Sequence, residues 1–271
     1  MDALSAALLG LLQGLTEFLP VSSSGHLVLG QALLGVHLEG GGAAFEVAVH
    51  FGTLLSVLVL LRRDVGALLL STARALRTPS KIRQQYQEDA QLRLAAAIVL
   101  GCLPAGITGV LFKDELEAAF SSPRLVGGAL LFTGLLLLSS RLVRTGTADV
   151  GPGRGLLIGL AQAVAILPGV SRSGSTIATA ELLGVAPEKA ARFSFLLSLP
   201  VIGGACLLKG RDLVSAPPSG EVLTALGIGA TTSFLSGLAA LWLLFGVVRR
   251  GWFSHFGWYC LVVGILALSL G

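Results

Sequence analysis

Two short polar segments, both embedded in apolar sequence, carry the side chains that could do chemistry. The first supplies an amide, a carboxylate, three hydroxyls and an imidazole, in the order Gln13, Glu17, Ser22, Ser23, Ser24 and His26. The second supplies hydroxyls and one guanidinium, in the order Ser171, Arg172, Ser173, Ser175 and Thr176. A guanidinium can grip two phosphate oxygens at once, and hydroxyls complete such a shell. The two segments therefore predict phosphate chemistry.

Helix ends are predicted to position these side chains. Gln13 and Glu17 are four residues apart, so they share one face of a helix that stops at Pro20. The next half-helix is expected to begin near Ser24, and another near Arg172, where free N–H groups attract an anion. Serine also caps helices for backbone reasons alone, and that reading stays open for Ser24 and Ser173.

The composition predicts that these segments lie in a lipid bilayer. Of 271 residues, 54% are hydrophobic and only 13% are charged, and the apolar residues form runs long enough to cross a bilayer. This excludes a soluble domain. The net charge of +4 lies in loops, as in membrane orientation signals, and predicts no nucleic-acid partner. A buried carboxylate such as Glu17 is costly at membrane depth, which indicates a functional role for it.

The apolar runs define the expected architecture. Six runs could span the membrane, at about residues 46–61, 94–112, 125–142, 193–208, 222–248 and 256–270. Residues 4–34 and 156–183 are also apolar, but Pro, Gly and hydroxyl residues interrupt each of them. Irregular backbone at membrane depth is tolerated only where protein or a wet cavity surrounds it. Each interrupted segment is therefore predicted to be a re-entrant helix-loop-helix.

The interrupted segments resemble each other, which indicates an internal repeat. Gly10-Leu11-Leu12-Gln13 matches Gly159-Leu160-Ala161-Gln162, and a Leu-Pro pair with a Ser-containing loop follows in both cases. We expect one all-α integral membrane domain over residues 1–271, with repeats at 1–145 and 153–271. Each repeat has a re-entrant pair and three transmembrane helices, and this odd number of crossings inverts the second repeat.

Basic residues predict the orientation. They cluster in three loops, as Arg62, Arg63, Arg74, Arg77, Lys81, Arg83 and Arg93, then Arg141, Arg144 and Arg154, and finally Arg249 and Arg250. The positive-inside rule places these loops in the cytoplasm and both termini outside it. The two polar loops then enter from opposite sides and can meet within the bilayer.

The long motifs Gln13 to His26 and Pro168 to Thr176 resemble the two signatures of the undecaprenyl-diphosphate phosphatase family of the bacitracin-resistance type. The similarity extends over essentially the whole chain. Gln13 stands where many relatives have Glu, so the first motif supplies a single carboxylate. The resemblance implies hydrolysis of undecaprenyl diphosphate to undecaprenyl phosphate at the outer face of the bacterial inner membrane. That reaction recycles the lipid carrier for peptidoglycan synthesis and confers bacitracin resistance.

The expected roles follow from both lines of reasoning. Glu17 is assigned as base or metal ligand, Ser23 as nucleophile or phosphate ligand, and His26 as acid, base or alternative nucleophile. Arg172 would clamp the pyrophosphate, with substrate contacts from Gln13, Ser22, Ser24, Ser171, Ser173 and Thr176. The family implies a divalent cation, Mg²⁺ or Ca²⁺, with Glu17 and Glu46 as candidate ligands.

Two other functional classes remain open at this stage. A transporter or flippase for polyprenyl phosphate would share the inverted repeats and interrupted helices, but would leave its lipid chemically unchanged. A structural scaffold would explain the spans but not the converging polar motifs. The expected partners are a polyprenyl diphosphate lipid and the bilayer, and a homodimer is one assembly that the sequence leaves open.

Overall fold

The computed structural model describes residues 1–34, 42–119, 122–142, 146–215 and 219–270. Within these ranges the secondary structure is helical, apart from one isolated bridge between Ala148 and Val185. The helices are α1 (Ala3–Phe18), α2 (Ser23–Leu34), α3 (Gly42–Leu60), α4 (Arg62–Arg77), α5 (Ile82–Glu88), α6 (Ala90–Leu111), α7 (Lys113–Ala119), α8 (Pro123–Ser139), α9 (Pro152–Val164), α10 (Arg172–Leu182), α11 (Pro187–Ser215), α12 (Gly220–Arg249) and α13 (Phe256–Leu270).

Six of these helices lie where the apolar runs predicted spanning segments. Four segments of the described chain, Ala90–Leu111, Arg124–Leu142, Pro187–Leu208 and Gly220–Arg249, are individually long and apolar enough to cross a membrane. The other two, α3 and α13, are shorter in apolar extent, and α3 ends in an 80° bend into α4. The long, apolar helices and their exposed leucines are typical of a protein that faces lipid.

Both predicted interruptions are present as helix breaks. Helix α1 ends at Phe18, and Leu19 is extended, as a residue before proline prefers to be. Ser22 then has a φ of 69°, a left-handed conformation that is unusual outside glycine, before α2 begins at Ser23. In the second break, Gly169 has a φ of 93°, and a Cβ there would strike the carbonyl oxygen of Val126. Tertiary contacts thus hold both loops in specific shapes.

Glycines bring the interrupted segments close to their neighbours. Helix α1 lies against α12 through Gly10 and Gly14, and helix α9 lies against α6 through Gly155 and Gly159. A Cβ at any of these positions would overlap the backbone of the neighbouring helix. Small residues allow helix backbones in membranes to approach closely, which compensates for the weak hydrophobic drive between helices in lipid. These contacts fix the two breaks relative to the rest of the bundle.

The basic segment after Leu61 is helical rather than an open loop. Helix α4 exposes apolar Leu69 and Leu76 beside arginines, and its mixed apolar and basic composition favours a surface helix. The Ser71 hydroxyl of α4 donates a 2.7 Å hydrogen bond to Asp89, the residue that caps α6. That hydrogen bond holds the pKa of Asp89 below its usual value. Helix α4 is therefore held against the start of α6.

Candidate active site

Glu17 is the centre of the polar cluster. Its side chain is buried, and its Oε2 accepts hydrogen bonds from the Ser23 hydroxyl at 2.6 Å and from Nε2 of Gln13 at 2.8 Å. Its Oε1 accepts a hydrogen bond from Nη2 of Arg172 at 2.5 Å. A buried carboxylate needs such partners, because an isolated charge in an apolar interior costs several kcal/mol. The cluster joins the first polar segment to the second.

The guanidinium of Arg172 has spare donor capacity. Its Nη2 is committed to Glu17, whereas its Nη1 is buried without a hydrogen-bond partner in the described part of the protein. The Oε1 atom of Gln13 is also buried and unpartnered among those residues. Buried polar atoms are normally satisfied, and an orphan donor on a cation is a natural contact for an anionic ligand. Arg172 can therefore hold Glu17 and a phosphate oxygen at the same time.

A cavity of about 350 Å³ opens beside this cluster. Its polar wall consists of Thr16, Glu17, Ser22, Ser23, Ser24, Gln31, Glu46, His50, Ser171 and Arg172. Its apolar wall includes Leu27, Val28, Val201, Ile202 and Ala205. The cavity lies at the N-terminal ends of α2 and α10, where backbone N–H groups favour negative charge. The site thus combines an anion-binding end with an apolar side.

His26 lies outside this cavity. Its Nε2 is 2.8 Å from the hydroxyl oxygen of Tyr259, and its Nδ1 is 2.8 Å from the carbonyl oxygen of Ser22. The two rings are stacked, with centroids 5.6 Å apart. A tyrosine hydroxyl that donates to Nε2 leaves the proton on Nδ1, which then donates to Ser22. His26 therefore holds the backbone of Ser22 through this hydrogen bond, and its ring contacts Tyr259 instead of lining the Glu17 cavity.

The hydroxyls of the second segment divide between the cavity and the protein interior. Ser171 lines the cavity, and its Oγ caps α10 by accepting from the backbone N–H of Gly174 at 3.0 Å. Ser173 instead reaches the carbonyl oxygen of Leu19 at 3.3 Å. Thr176 is bonded to Ser194, with their hydroxyl oxygens 2.6 Å apart. Ser173 and Thr176 are outside the cavity wall and connect the two breaks to the surrounding helices.

Two residues near the site were not assigned a role from the sequence. The Nε2 atom of His50 is 3.7 Å from Oε2 of Glu17, and its Nδ1 contacts the carbonyl oxygen of Glu46 at 2.7 Å. The helical spacing of Glu46 and His50 could have indicated that both face the cavity. Nothing in the sequence indicated a role for Tyr259, because it is 233 residues from His26 and lies in an apolar helix.

Oxygen donors for a hard cation are present in the cavity wall. Glu17 and Glu46 contribute carboxylates, and Ser23 contributes a hydroxyl in contact with Glu17. The described residues contain no group of three or more His, Cys, Asp or Glu side chains placed to hold a metal. Magnesium commonly takes one or two carboxylates together with water and substrate phosphates, so the donor set fits that pattern.

Comparison with known proteins shows the family to which the chain belongs. Residues 6–266 match the family described as bacitracin resistance protein BacA, and the chain belongs to that family. A relative named undecaprenyl-diphosphatase from Salinibacter ruber is 45% identical over 98% of both chains. Relatives of the same name from Desulfosudis oleivorans and Desulforapulum autotrophicum are 43% and 39% identical, over 100% of this chain and 99% of theirs. The protein is a multi-pass membrane protein of this family.

Proposed function

We propose that this protein hydrolyses undecaprenyl diphosphate to undecaprenyl phosphate and inorganic phosphate. The observation that carries the proposal is the buried contact of Glu17 with both Ser23 and Arg172, in a cavity with an apolar wall. Relatives across the full length are named for this activity. The reaction recycles the lipid carrier for peptidoglycan synthesis, and bacitracin resistance follows because the antibiotic acts on the diphosphate form of the lipid.

Ser23 is the nucleophile in this proposal. Its hydroxyl already donates to Oε2 of Glu17 at 2.6 Å, so the carboxylate can accept the proton as the oxygen attacks the terminal phosphorus. The bond from that phosphorus to the bridging oxygen breaks, and undecaprenyl phosphate leaves. Water then attacks the phosphoserine and releases inorganic phosphate, with the Ser23 oxygen recovering the proton held by Glu17. His26 is bonded to Tyr259 and faces away from this reaction.

Arg172 stabilises the charge on the transferred phosphoryl group. Phosphoryl transfer depends mainly on positioning and on stabilising charge at the phosphate oxygens. Nη1 of Arg172 is the available donor, while Nη2 keeps the guanidinium oriented through Glu17. The N-terminal N–H groups of α2 and α10 add further donors at the same cavity. The apolar wall suits the first isoprene units of the lipid.

A divalent cation, Mg²⁺ or Ca²⁺, completes the proposed site. Glu17 and Glu46 would hold it, since each carboxylate oxygen accepts more than one bond. When bound, such a cation neutralises charge on the phosphate oxygens. Removal of the metal by a chelator should abolish turnover, and added Mg²⁺ or Ca²⁺ should restore it. Undiminished turnover in chelator would remove the cation from this proposal.

The inverted repeat is part of the same proposal, and reciprocal packing supports it. Helix α1 of the first repeat packs on α12 of the second, and helix α9 of the second packs on α6 of the first. Helices α3 and α11 pack on each other, as do α8 and α13. With both termini outside the cytoplasm, the Glu17 cavity opens to the outer leaflet of the bacterial inner membrane. Substrate would enter there.

Release of inorganic phosphate tests the activity. Purified protein should release one phosphate per molecule of undecaprenyl diphosphate, and a matched Arg172→Gln preparation should release almost none. Ser139→Ala, outside the cavity, is the control variant. A transporter would bind the lipid stoichiometrically and return it unchanged, so binding without phosphate release from folded protein would overturn the proposed hydrolysis.

A further inference from the structure

A second cavity, which shares no wall residue with the Glu17 cavity, lies between the corner of α3 and α4 and the C-terminal part of α12. We call it the corner cavity. It has a volume of about 570 Å³, and its wall includes Leu60, Trp242, Leu243, Arg249, Arg250 and Trp252. The side chains of Trp242 and Trp252 are largely exposed. The corner cavity thus combines arginines with exposed aromatic and aliphatic surface.

The corner marks the level of the membrane surface. Helix α3 corresponds to one of the spanning segments predicted from the sequence, and α4 is bent from it by 80°. Helix α4 begins with Arg62 and Arg63 and exposes Leu69 and Leu76. A basic helix with an exposed apolar face lies in the membrane interface, with its apolar side towards the acyl chains. The corner cavity is therefore at the depth of the lipid headgroups.

Helix α12 gives the corner cavity two ends of different character. Arg250 follows the last turn of α12, and Trp242 lies eight residues earlier. At 1.5 Å per residue this separates them by roughly 12 Å along the helix. The Arg250 end therefore sits among headgroups, while the Trp242 and Leu243 end reaches the acyl-chain region. A lipid molecule likewise has a polar headgroup at one end and apolar acyl chains at the other.

Arg250 is the cation that remains available at the polar end. Arg249 donates to Glu188 at 3.1 Å, and Arg192 is paired with both Asp64 and Glu188. The guanidinium of Arg250 instead stands over the ring of Trp252, 5.4 Å from its centroid. Within the described ranges, no acidic side chain lies within ion-pairing distance of it. An anion bound at this end would neutralise the charge of the Arg250 guanidinium.

We propose that the corner cavity binds an anionic phospholipid of the surrounding bilayer. The headgroup phosphate contacts Arg250 beside Trp252, and an acyl chain follows Trp242, Leu243 and Leu60. Basic pockets between membrane helices bind anionic headgroups in this way, and tryptophan favours the interface. The apolar end, at Trp242 and Leu243, favours a lipid over a free phosphate ion. The site is separate from the proposed active site, because none of its wall residues lines the Glu17 cavity.

Lipid retention by the purified full-length protein tests this proposal. Wild type is titrated in detergent with phosphatidylglycerol and with phosphatidylcholine, and the bound lipid is counted by native mass spectrometry. Arg250→Gln should weaken phosphatidylglycerol binding about fivefold and leave phosphatidylcholine unchanged, as expected for one basic residue near a membrane surface. Arg83→Gln, an exposed arginine on α5, makes the same charge change elsewhere and should bind as wild type does.

Further measurements separate the alternatives. Phosphate release by Arg250→Gln in phosphatidylcholine should equal that of wild type, which shows that the variant is folded. Trp242→Ala should weaken phosphatidylglycerol binding, because it removes the contact with the acyl chain in the corner cavity. Binding of phosphatidylcholine elsewhere on the protein should not change. Equal phosphatidylglycerol binding by wild type and Arg250→Gln would overturn the proposal. Displacement of the lipid by millimolar inorganic phosphate would also overturn it, since the site would then recognise the ion alone.

Discussion

Nη2 of Arg172 lies 2.5 Å from Oε1 of Glu17, although 155 residues separate them in the chain. This contact joins the last turn of α1, in the first interrupted segment, to the first residue of α10, in the second. The carboxylate orients the guanidinium and leaves its Nη1 without a partner among the described residues. Each interrupted segment alone offers only part of a phosphate site, and the contact between Glu17 and Arg172 brings the two parts together.

Replacing Arg172 with lysine tests the need for a planar fork. A single ammonium cannot hold Glu17 and a phosphate oxygen with the same geometry, although it keeps the charge. We expect Arg172→Lys to lower kcat/KM by at least about 100-fold, comparable to the loss of a group that stabilises charge in the transition state. The measurement is steady-state phosphate release from folded protein, with Arg77→Lys on α4 as the control. Turnover near that of wild type would reduce Arg172 to a point charge.

Tyr259 is expected to act through His26 and the Ser22 loop. Tyr259→Phe removes the hydroxyl that contacts Nε2 of His26 and should free the ring to change tautomer. We expect kcat to fall about tenfold (about 1.4 kcal/mol) while KM changes little, because the Ser22 turn that precedes Ser23 loses order. Tyr86→Phe on α5 is the matched control.

The His26 variants distinguish a positioning role from chemistry. His26→Asn, with a side-chain amide able to donate to Ser22, should retain more activity than His26→Ala. If the two variants were equally inactive and wild type formed acid-labile phosphohistidine, His26 would be the nucleophile and the positioning role would be wrong.

Gly14 tests the close packing of α1 on α12. A Cβ at this position would overlap Ser236 and the backbone of α12, so Gly14→Ala should separate the two helices. We expect a loss of about 1–3 kcal/mol in stability, the usual cost of overpacking. Gly106→Ala in α6 is the control, since a Cβ there meets nothing within 4 Å. Thermal unfolding in detergent should show the difference, and equal melting temperatures would contradict this packing.

Single accessible cysteines test the orientation of the repeats. A cysteine at Gln84 or at the exposed His255 should react with a membrane-impermeant thiol reagent only after the cell is opened. A cysteine at Glu115 should react in intact spheroplasts. The three native cysteines, Cys102, Cys206 and Cys260, are only partly exposed or buried, so a cysteine-free parent is the background for this experiment. Labelling of all three positions from one side would exclude the inverted topology.

The sequence predicted the helical membrane architecture and the polar segments because those features are local. Apolar runs reveal α6, α8, α11 and α12, and the Pro20 break follows from backbone chemistry. The position of His26 could not be predicted in this way, since it depends on Tyr259 in the last helix. The motif led to His26 being assigned as acid, base or alternative nucleophile, whereas in the structure its ring contacts Tyr259 and lies outside the wall of the Glu17 cavity.

Other features required tertiary structure for the same reason. The basic segment after Leu61 looked like a loop by charge, although its leucines also favour the amphipathic helix that the structure contains. The contact between Glu17 and Arg172 was expected only in outline, as two loops meeting within the bilayer. Which atoms form this contact, and that Nη1 of Arg172 is left unpartnered among the described residues, depend on how α1 and α9 pack against their neighbours.

The most direct test of the proposed site is a single-turnover reaction of Ser23→Ala. Wild type and the variant are mixed in excess with undecaprenyl diphosphate labelled in its terminal phosphate, then quenched at intervals. Ser139→Ala, which removes a hydroxyl outside the cavity, is the control. We predict that Ser23→Ala binds the lipid but forms no phosphoenzyme and releases phosphate at least about 1,000-fold more slowly, whereas wild type yields acid-stable phosphoserine at Ser23. Phosphate release by folded Ser23→Ala at the wild-type rate would contradict the assignment of Ser23 and of the Glu17 cluster around it.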